Sequence, residues 1–161
     1  MTGKTMSIVA ELEIAAPAAA AAYEIRASLT LTGFDGDPDA VSAHLDLQPT
    51  RVRRRSSGLY RALRLAGPDS DGANEWVFRP VLDLPEPRPA RLGLAELLHP
   101  LRAALEARCD RLATLPRCSR EIRIEILSRG MTPEIVFAEG DLDFLTRLGL
   151  PFALDIRTAV D

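Results

Sequence analysis

The stretch GFDGDPDAVSAHLDLQPTRVRRR, Gly33 to Arg55, sets Asp35, Asp37 and Asp39 on alternate residues and follows them with Arg51, Arg53, Arg54 and Arg55. Acids at this spacing imitate the first three ligand positions of a calcium loop. That loop also requires glycine at its sixth position and a bidentate glutamate at its twelfth; here those places hold Ala40 and Asp46. The same residues satisfy the rules for starting a helix. Asp37 suits the N-cap, Pro38 the first helical position, and Asp39 the first turn, where the positive end of the macrodipole favours a carboxylate. Glycine-rich phosphate-binding patterns are lacking, and the aspartates put negative charge where a phosphate would have to sit. Neither a metal nor a cofactor is expected.

The arginines carry the more open question. If TRVRRR is a strand, Arg51, Arg53 and Arg55 share one face and Arg54 lies with Val52 on the other. Acids on a neighbouring strand, Glu121 or Glu125, would relieve the repulsion among three guanidinium groups. Alternatively Arg51, Arg53, Arg54, Arg55, Arg61 and Arg64, which fall in a segment without a single acid, form a recognition surface for an acidic protein or a phosphate backbone. Only Tyr60 accompanies them, so a base-stacking surface for single strands has little support. The remaining reactive residue types, His44, His99, Cys109 and Cys118, lack the spacing of a zinc site or a nucleophile elbow. The acids of EIRIEIL belong on the polar face of a strand, and Asp141 suits a cap.

Elements able to position these groups are readily found. In a chain of 161 residues, 47% hydrophobic and 27% charged, one core is expected. The net charge of −3 speaks against a general nucleic-acid footprint, and Lys4 is the only lysine, an arginine bias typical of GC-rich genomes. No apolar run is long enough for a membrane span. The start MTGKTMSIVAELEI carries acids where a secretory signal needs an apolar core, and a cytoplasmic protein is expected. Residues 1–22 read as a detachable N-terminal extension, either flexible or one extra strand: SIVAELEI (Ser7 to Ile14) alternates as a strand would, and the polyalanine stretch after it is a linker or a short helix started by Pro17. From Tyr23 the alternation is strict, with Tyr23, Ile25, Ala27, Leu29 and Leu31 on one face.

A short helix from about Pro38 to Leu45, strands at TRVRRR and NEWVFRPVL, and a long helical pattern from Leu94 to Leu112 follow; Pro80 is expected to confine its strand to a sheet edge or to mark its end, and Pro100 to kink the helix or split off its first turn. Strands at EIRIEIL and EIVFAE, a helix stopped by Gly149 and a last strand PFALDIR complete the chain. LTLTGFDGDPDAVSAHLDLQP and IVFAEGDLDFLTRLGLP share an order of strand, glycine, aspartate-capped helix and proline. The reading is a single α+β domain over 23–161: a mixed β-sheet packed by helices on one face, two strand-helix-strand units around a long central helix, a sandwich related to the ferredoxin-like arrangement.

LTLTGFDGDPDAVSAHLDLQPT, the tryptophan of EWVF, the leucine-rich LAELLHPLRAALEARCDRLATL and the ending LDFLTRLGLPFALDI together resemble the bacterial domain-of-unknown-function family 4279, from about Ala27 to Ile156. The resemblance implies a fold and an order of elements; it brings no activity and no catalytic residues. The chain departs from the family pattern at RVRRRSSG, where a Lys-Gly-Asp type turn is usual, and at DIR, where a tyrosine usually follows DI. The functional expectation is a non-catalytic module that binds another protein through the arginine-rich segment. A nucleic-acid-binding protein using the same arginines is the second reading, and a hydrolase or transferase with a dispersed site the third.

Overall fold

The computed structural model describes residues 23–55 and 73–159. Residues 1–22, residues 56–72 with Tyr60, Arg61 and Arg64, and the last two residues lie outside the described residues. In chain order the elements are β1 (Tyr23–Thr32), α1 (Pro38–Leu45), β2 (Arg51–Arg53), β3 (Glu75–Phe78), β4 (Arg91–Gly93), α2 (Leu94–Leu105), a 3-10 turn (Glu106–Arg108), α3 (Cys109–Ala113), β5 (Ser119–Ser128), β6 (Glu134–Val136), α4 (Asp143–Leu148) and β7 (Phe152–Thr158).

Five strands form one sheet in the order β2-β3-β1-β5-β7. The first three contacts are antiparallel and β5 with β7 is parallel. It follows that β2 runs parallel to β1 with β3 between them, and β3 parallel to β5 with β1 between them. Two interleaved strand-helix-strand crossovers of this kind are the ferredoxin-like arrangement, with β7 added as a fifth strand beyond β5. The protein is therefore α+β with a mixed sheet. The second of the two similar segments is wired differently from the first, because β6 leaves the main sheet and pairs in parallel with β4 in a separate two-stranded sheet.

The core lies on one face, where period-two alternation places it. Leu29 registers with Ile122, Ala27 with Ile124 and Ile25 with Ile126. These meet Val41 and Leu45 of α1, Leu94, Leu97, Leu98, Leu101 and Leu105 of α2, Leu112 of α3, and Phe144 and Leu145 of α4. Pro100 does not break α2, which runs through it. The regular helix gives way three turns in, at the 3-10 turn, where Arg108 leaves helical geometry (φ −121°, ψ 10°). Its guanidinium reaches back to the C-terminal end of α1, donating to Leu45 O at 2.9 Å and Asp46 O at 3.2 Å, and so satisfies carbonyls that a helix end leaves without partners.

At the start of β1, Tyr23 is fully buried and its hydroxyl donates to Pro89 O at 2.6 Å, tying the segment before β4 to the sheet. Burial raises its pKa above 10, partly offset by the positive charge of Arg88. The phenol is thus protonated in the fold at a pH where the unfolded chain has begun to ionise, and its contribution, complete below the unfolded value, is lost as pH rises through the higher folded value. Tyr23→Phe is expected to cost about 1 kcal/mol at neutral pH and to flatten the alkaline decline; denaturant melts from pH 7 to 11 check both.

Candidate functional site

The two charged clusters of Gly33–Arg55 meet at one corner of the molecule. The helix start forms as its residues dictate: Asp37 is the N-cap, its Oδ1 accepts from the Asp39 N–H at 3.0 Å, and Pro38 opens α1. Downstream, β2 is a strand of three residues that among the described residues lies at the sheet edge with β3 as its neighbour, Arg53 opposite Glu75 and Arg51 opposite Val77.

Glu75 anchors both strand arginines. Arg51 Nη2 donates to its Oε1 at 2.9 Å, and Arg53 Nε lies 3.7 Å from its Oε2. The carboxylate is nearly covered, its side chain 14% exposed, whereas the two guanidinium groups stand 63% and 48% exposed above it. Arg54 and Arg55 lie beyond the strand, so Arg55 does not continue the Arg51 and Arg53 row. Arg54 turns to the helix start, its Nη2 3.3 Å from Asp37 Oδ1 and 3.0 Å from Asp39 Oδ2. The hydrogen bond to Asp39, then the charges of Asp39 and Asp37, hold the Arg54 guanidinium above its ordinary pKa. The acids expected to balance the arginines, Glu121 and Glu125, pair instead with Arg123 at 2.7 Å and Arg79 at 3.3 Å. The reason is strand order, which sets β3 rather than β5 beside β2.

Asn74 pins the corner together. It is 9% exposed, donates from Nδ2 to Phe34 O and Gly36 O at 3.0 Å each, and accepts the Arg55 N–H on Oδ1 at 2.7 Å. Its own carbonyl accepts from Gly33 N at 3.0 Å, and Gly33 sits at φ 74°, a left-handed turn that favours glycine. One amide thereby fixes the β1–α1 loop against the end of β2. Neither Asn74 nor Glu75 stood out in the sequence, because Asn-Glu at a strand start is ordinary until the neighbouring strand is known.

Beside this corner is a cleft of about 260 Å³ lined by Asp35, Asp37, Val41, His44 and Leu115 among others. His44 Nε2 lies 2.9 Å from Arg111 O and 3.1 Å from Thr114 Oγ1. A carbonyl only accepts, so Nε2 carries the proton and the ring is held as a link between α1 and α3. Cys109 Sγ donates within its own helical turn, to Glu106 O at 3.2 Å, and no disulfide joins it to Cys118. Asp141 accepts from Ala138 N at 2.7 Å, closing the turn before α4 rather than capping the helix. Among the described residues no group of three His, Cys, Asp or Glu side chains converges to hold a metal, and Arg54 already occupies two of the three aspartates. Calcium or magnesium at low millimolar concentration is accordingly expected to raise the melting temperature by less than about 1 °C; a scanning fluorimetry shift of several degrees would contradict the cap assignment.

The outward face of the sheet continues the pattern of paired charge, with Arg26 on Glu24 at 3.4 Å, Arg123 on Glu121, Arg79 on Glu125 and Arg157 on Asp155. Hydrogen bonding from Arg157 holds the Asp155 carboxyl below its ordinary pKa. The described outward positions of β1, β2, β3, β5 and β7 carry no aromatic ring, which is poor ground for base stacking. No helix among the described residues is long and apolar enough to cross a membrane.

No curated protein and no solved structure gives a significant match to the chain. Residues 23–159, the span from the first residue of β1 to just past β7, match the model of a domain of unknown function (DUF4279), and the chain belongs to that family.

Proposed function

We propose that the domain is a non-catalytic module that binds an acidic segment of another protein along the β2 edge, with Arg51, Arg53 and Arg54 as principal contacts and Arg55, Arg61 and Arg64 extending the surface. The observation that carries this reading is the geometry over Glu75: a nearly covered carboxylate beneath two half-exposed guanidinium groups. Exposed ion pairs of this type contribute little to stability. Their effect is to hold long, rotamer-rich side chains in place, which lowers the ordering cost that binding would otherwise incur. Arginine forks held in one orientation suit carboxylates, which they engage in bidentate fashion. Gly33 N donates to Asn74 O at 3.0 Å and Thr50 N to Val77 O at 2.7 Å, so by the alternation of an antiparallel ladder Glu75 and Val77 turn their backbone groups to β2, Arg51 and Arg53 bond to β3, and in β2 it is the N–H and C=O of Val52 that point away from β3. An extended peptide pairing there would place its acids beside the guanidinium groups. A cytoplasmic location is part of the same proposal.

The phosphate-backbone reading is weaker because the outward sheet face is ion-paired and lacks aromatics. Selection from a displayed library of random peptides tests the proposal without a known partner. Enriched sequences should carry an excess of Asp and Glu in an extended motif; enrichment without acids, or no enrichment, would count against it.

A further inference from the structure

The opposite edge of the sheet shows a different kind of incompleteness. Among the described residues nothing pairs with the far side of β7. Ile122 N donates to Pro151 O at 2.9 Å and Ala159 N to Ser128 O at 2.8 Å, which sets the phase of the parallel ladder: the backbone groups of Ala153, Asp155 and Arg157 face β5, and those of Phe152, Leu154 and Ile156 face outward. The side chains of these same three residues lie on the helix-covered face, level with Ile122, Ile124 and Ile126. Those isoleucines are at most 1% exposed, yet Ile156 is 48% exposed and Phe152 and Leu154 are only half-buried. The helical layer stops short of β7, leaving a seven-residue edge with an apolar flank, the kind of edge that proteins generally cover, charge or shorten.

We propose that this edge is a strand-acceptor site and that this chain's own Ser7–Ile14 segment occupies it as a sixth strand parallel to β7. Period-two alternation puts Ile8, Ala10, Leu12 and Ile14 on one face and Ser7, Val9, Glu11 and Glu13 on the other. With the apolar set turned to the helix side, it covers Ile156, Leu154 and Phe152, while Glu11 and Glu13 fall on the face that presents Arg157, whose side chain is 64% exposed. The connection fits as well. Tyr23 registers with Ser128 and Ser128 with Thr158, so β1 starts at the end of the sheet where β7 finishes. A segment that finishes there runs parallel to β7 and antiparallel to β1. Reaching β1 requires crossing three strand spacings, about 14 Å. The eight residues 15–22 between Ile14 and Tyr23 can span about 26 Å when extended. The arginine edge lies across the sheet, so the two proposals stand or fall separately.

Amide hydrogen exchange followed by NMR on the full chain, at two protein concentrations tenfold apart, tests the assignment. The outward amides of Leu154 and Ile156 should exchange at least tenfold slower than in an Ile8→Pro/Leu12→Pro variant, while those of Ala153 and Asp155 stay equally protected in both. Methyl contacts from Leu12 and Ile14 to Leu154 and Ile156 should appear in the full chain, a readout that does not depend on the variant folding. The proposal is overturned by fast exchange at Leu154 and Ile156 in the full chain, by protection that persists in the variant, or by absence of the methyl contacts. Protection that grows with concentration would assign the edge to a second copy and overturn it equally.

Discussion

Trp76→Ala is expected to lower the unfolding free energy by about 3–5 kcal/mol, the largest stability loss of any single substitution argued from this structure. Trp76 is fully buried on the helix-covered face of β3, registered between Leu31 of β1 and Val52 of β2. Its Nε1 donates to Ser42 Oγ at 2.9 Å, and that hydroxyl in turn donates to Pro38 O at 3.3 Å in the first turn of α1. The ring also stacks on Phe78, with centroids 6.4 Å apart and planes at 24°. Alanine removes the whole apolar surface, leaves a cavity between sheet and helix, and costs Ser42 a buried partner. Trp76→Phe should fall between the two, since it keeps most of the volume and loses the hydrogen bond. Urea denaturation with unchanged m-value would report these differences. A loss below about 1 kcal/mol for alanine would mean that α1 and β3 are not joined through this ring.

Much of this arrangement was legible beforehand because it rests on local rules. Alternation identified the buried face of β1 from Tyr23 to Leu31 and of β5 at Ile122, Ile124 and Ile126, and the aspartate-proline start of α1 followed from capping alone. Strand order was not legible, since pairing is decided by contacts far apart in the chain. That gap explains why Glu121 and Glu125 were expected beneath the arginines and Glu75 was found. The separate β4–β6 sheet was missed for a related reason: Arg91–Gly93 is too short to show a period. Pro100 does not split off the first turn of the central helix, which runs through it; a helix tolerates proline when packing of its leucine face compensates for the lost hydrogen bond. The regular helix gives way instead at Glu106–Arg108, where Arg108 makes long-range bonds to α1 that no sequence window contains. At the candidate site the separate clusters were visible as residue types; that Arg54 would close on Asp37 and Asp39, removing both from metal binding, depended on the corner that Asn74 assembles.

The second large effect is on binding. Replacing Arg51, Arg53 and Arg54 together by serine is expected to weaken capture of a selected acidic peptide at least 100-fold, because three charge-assisted contacts of roughly 1.5–3 kcal/mol each are lost at once. Stability should change little, within about 1–2 kcal/mol: the arginines are half-exposed, and the main cost is leaving Glu75 without its partners. A much larger drop in melting temperature would place these arginines in a structural ion-pair network and withdraw their recognition role.

The most direct test of the account is a titration of wild-type protein and this triple variant with one library-selected acidic peptide and one duplex DNA, each at low and high salt. The account predicts saturable peptide binding that the triple substitution abolishes and that weakens modestly with salt, against DNA binding that is weak throughout. Tighter binding to DNA than to peptide, with affinity falling in proportion to the logarithm of salt by several charges, or peptide binding unchanged in the triple variant, would contradict it.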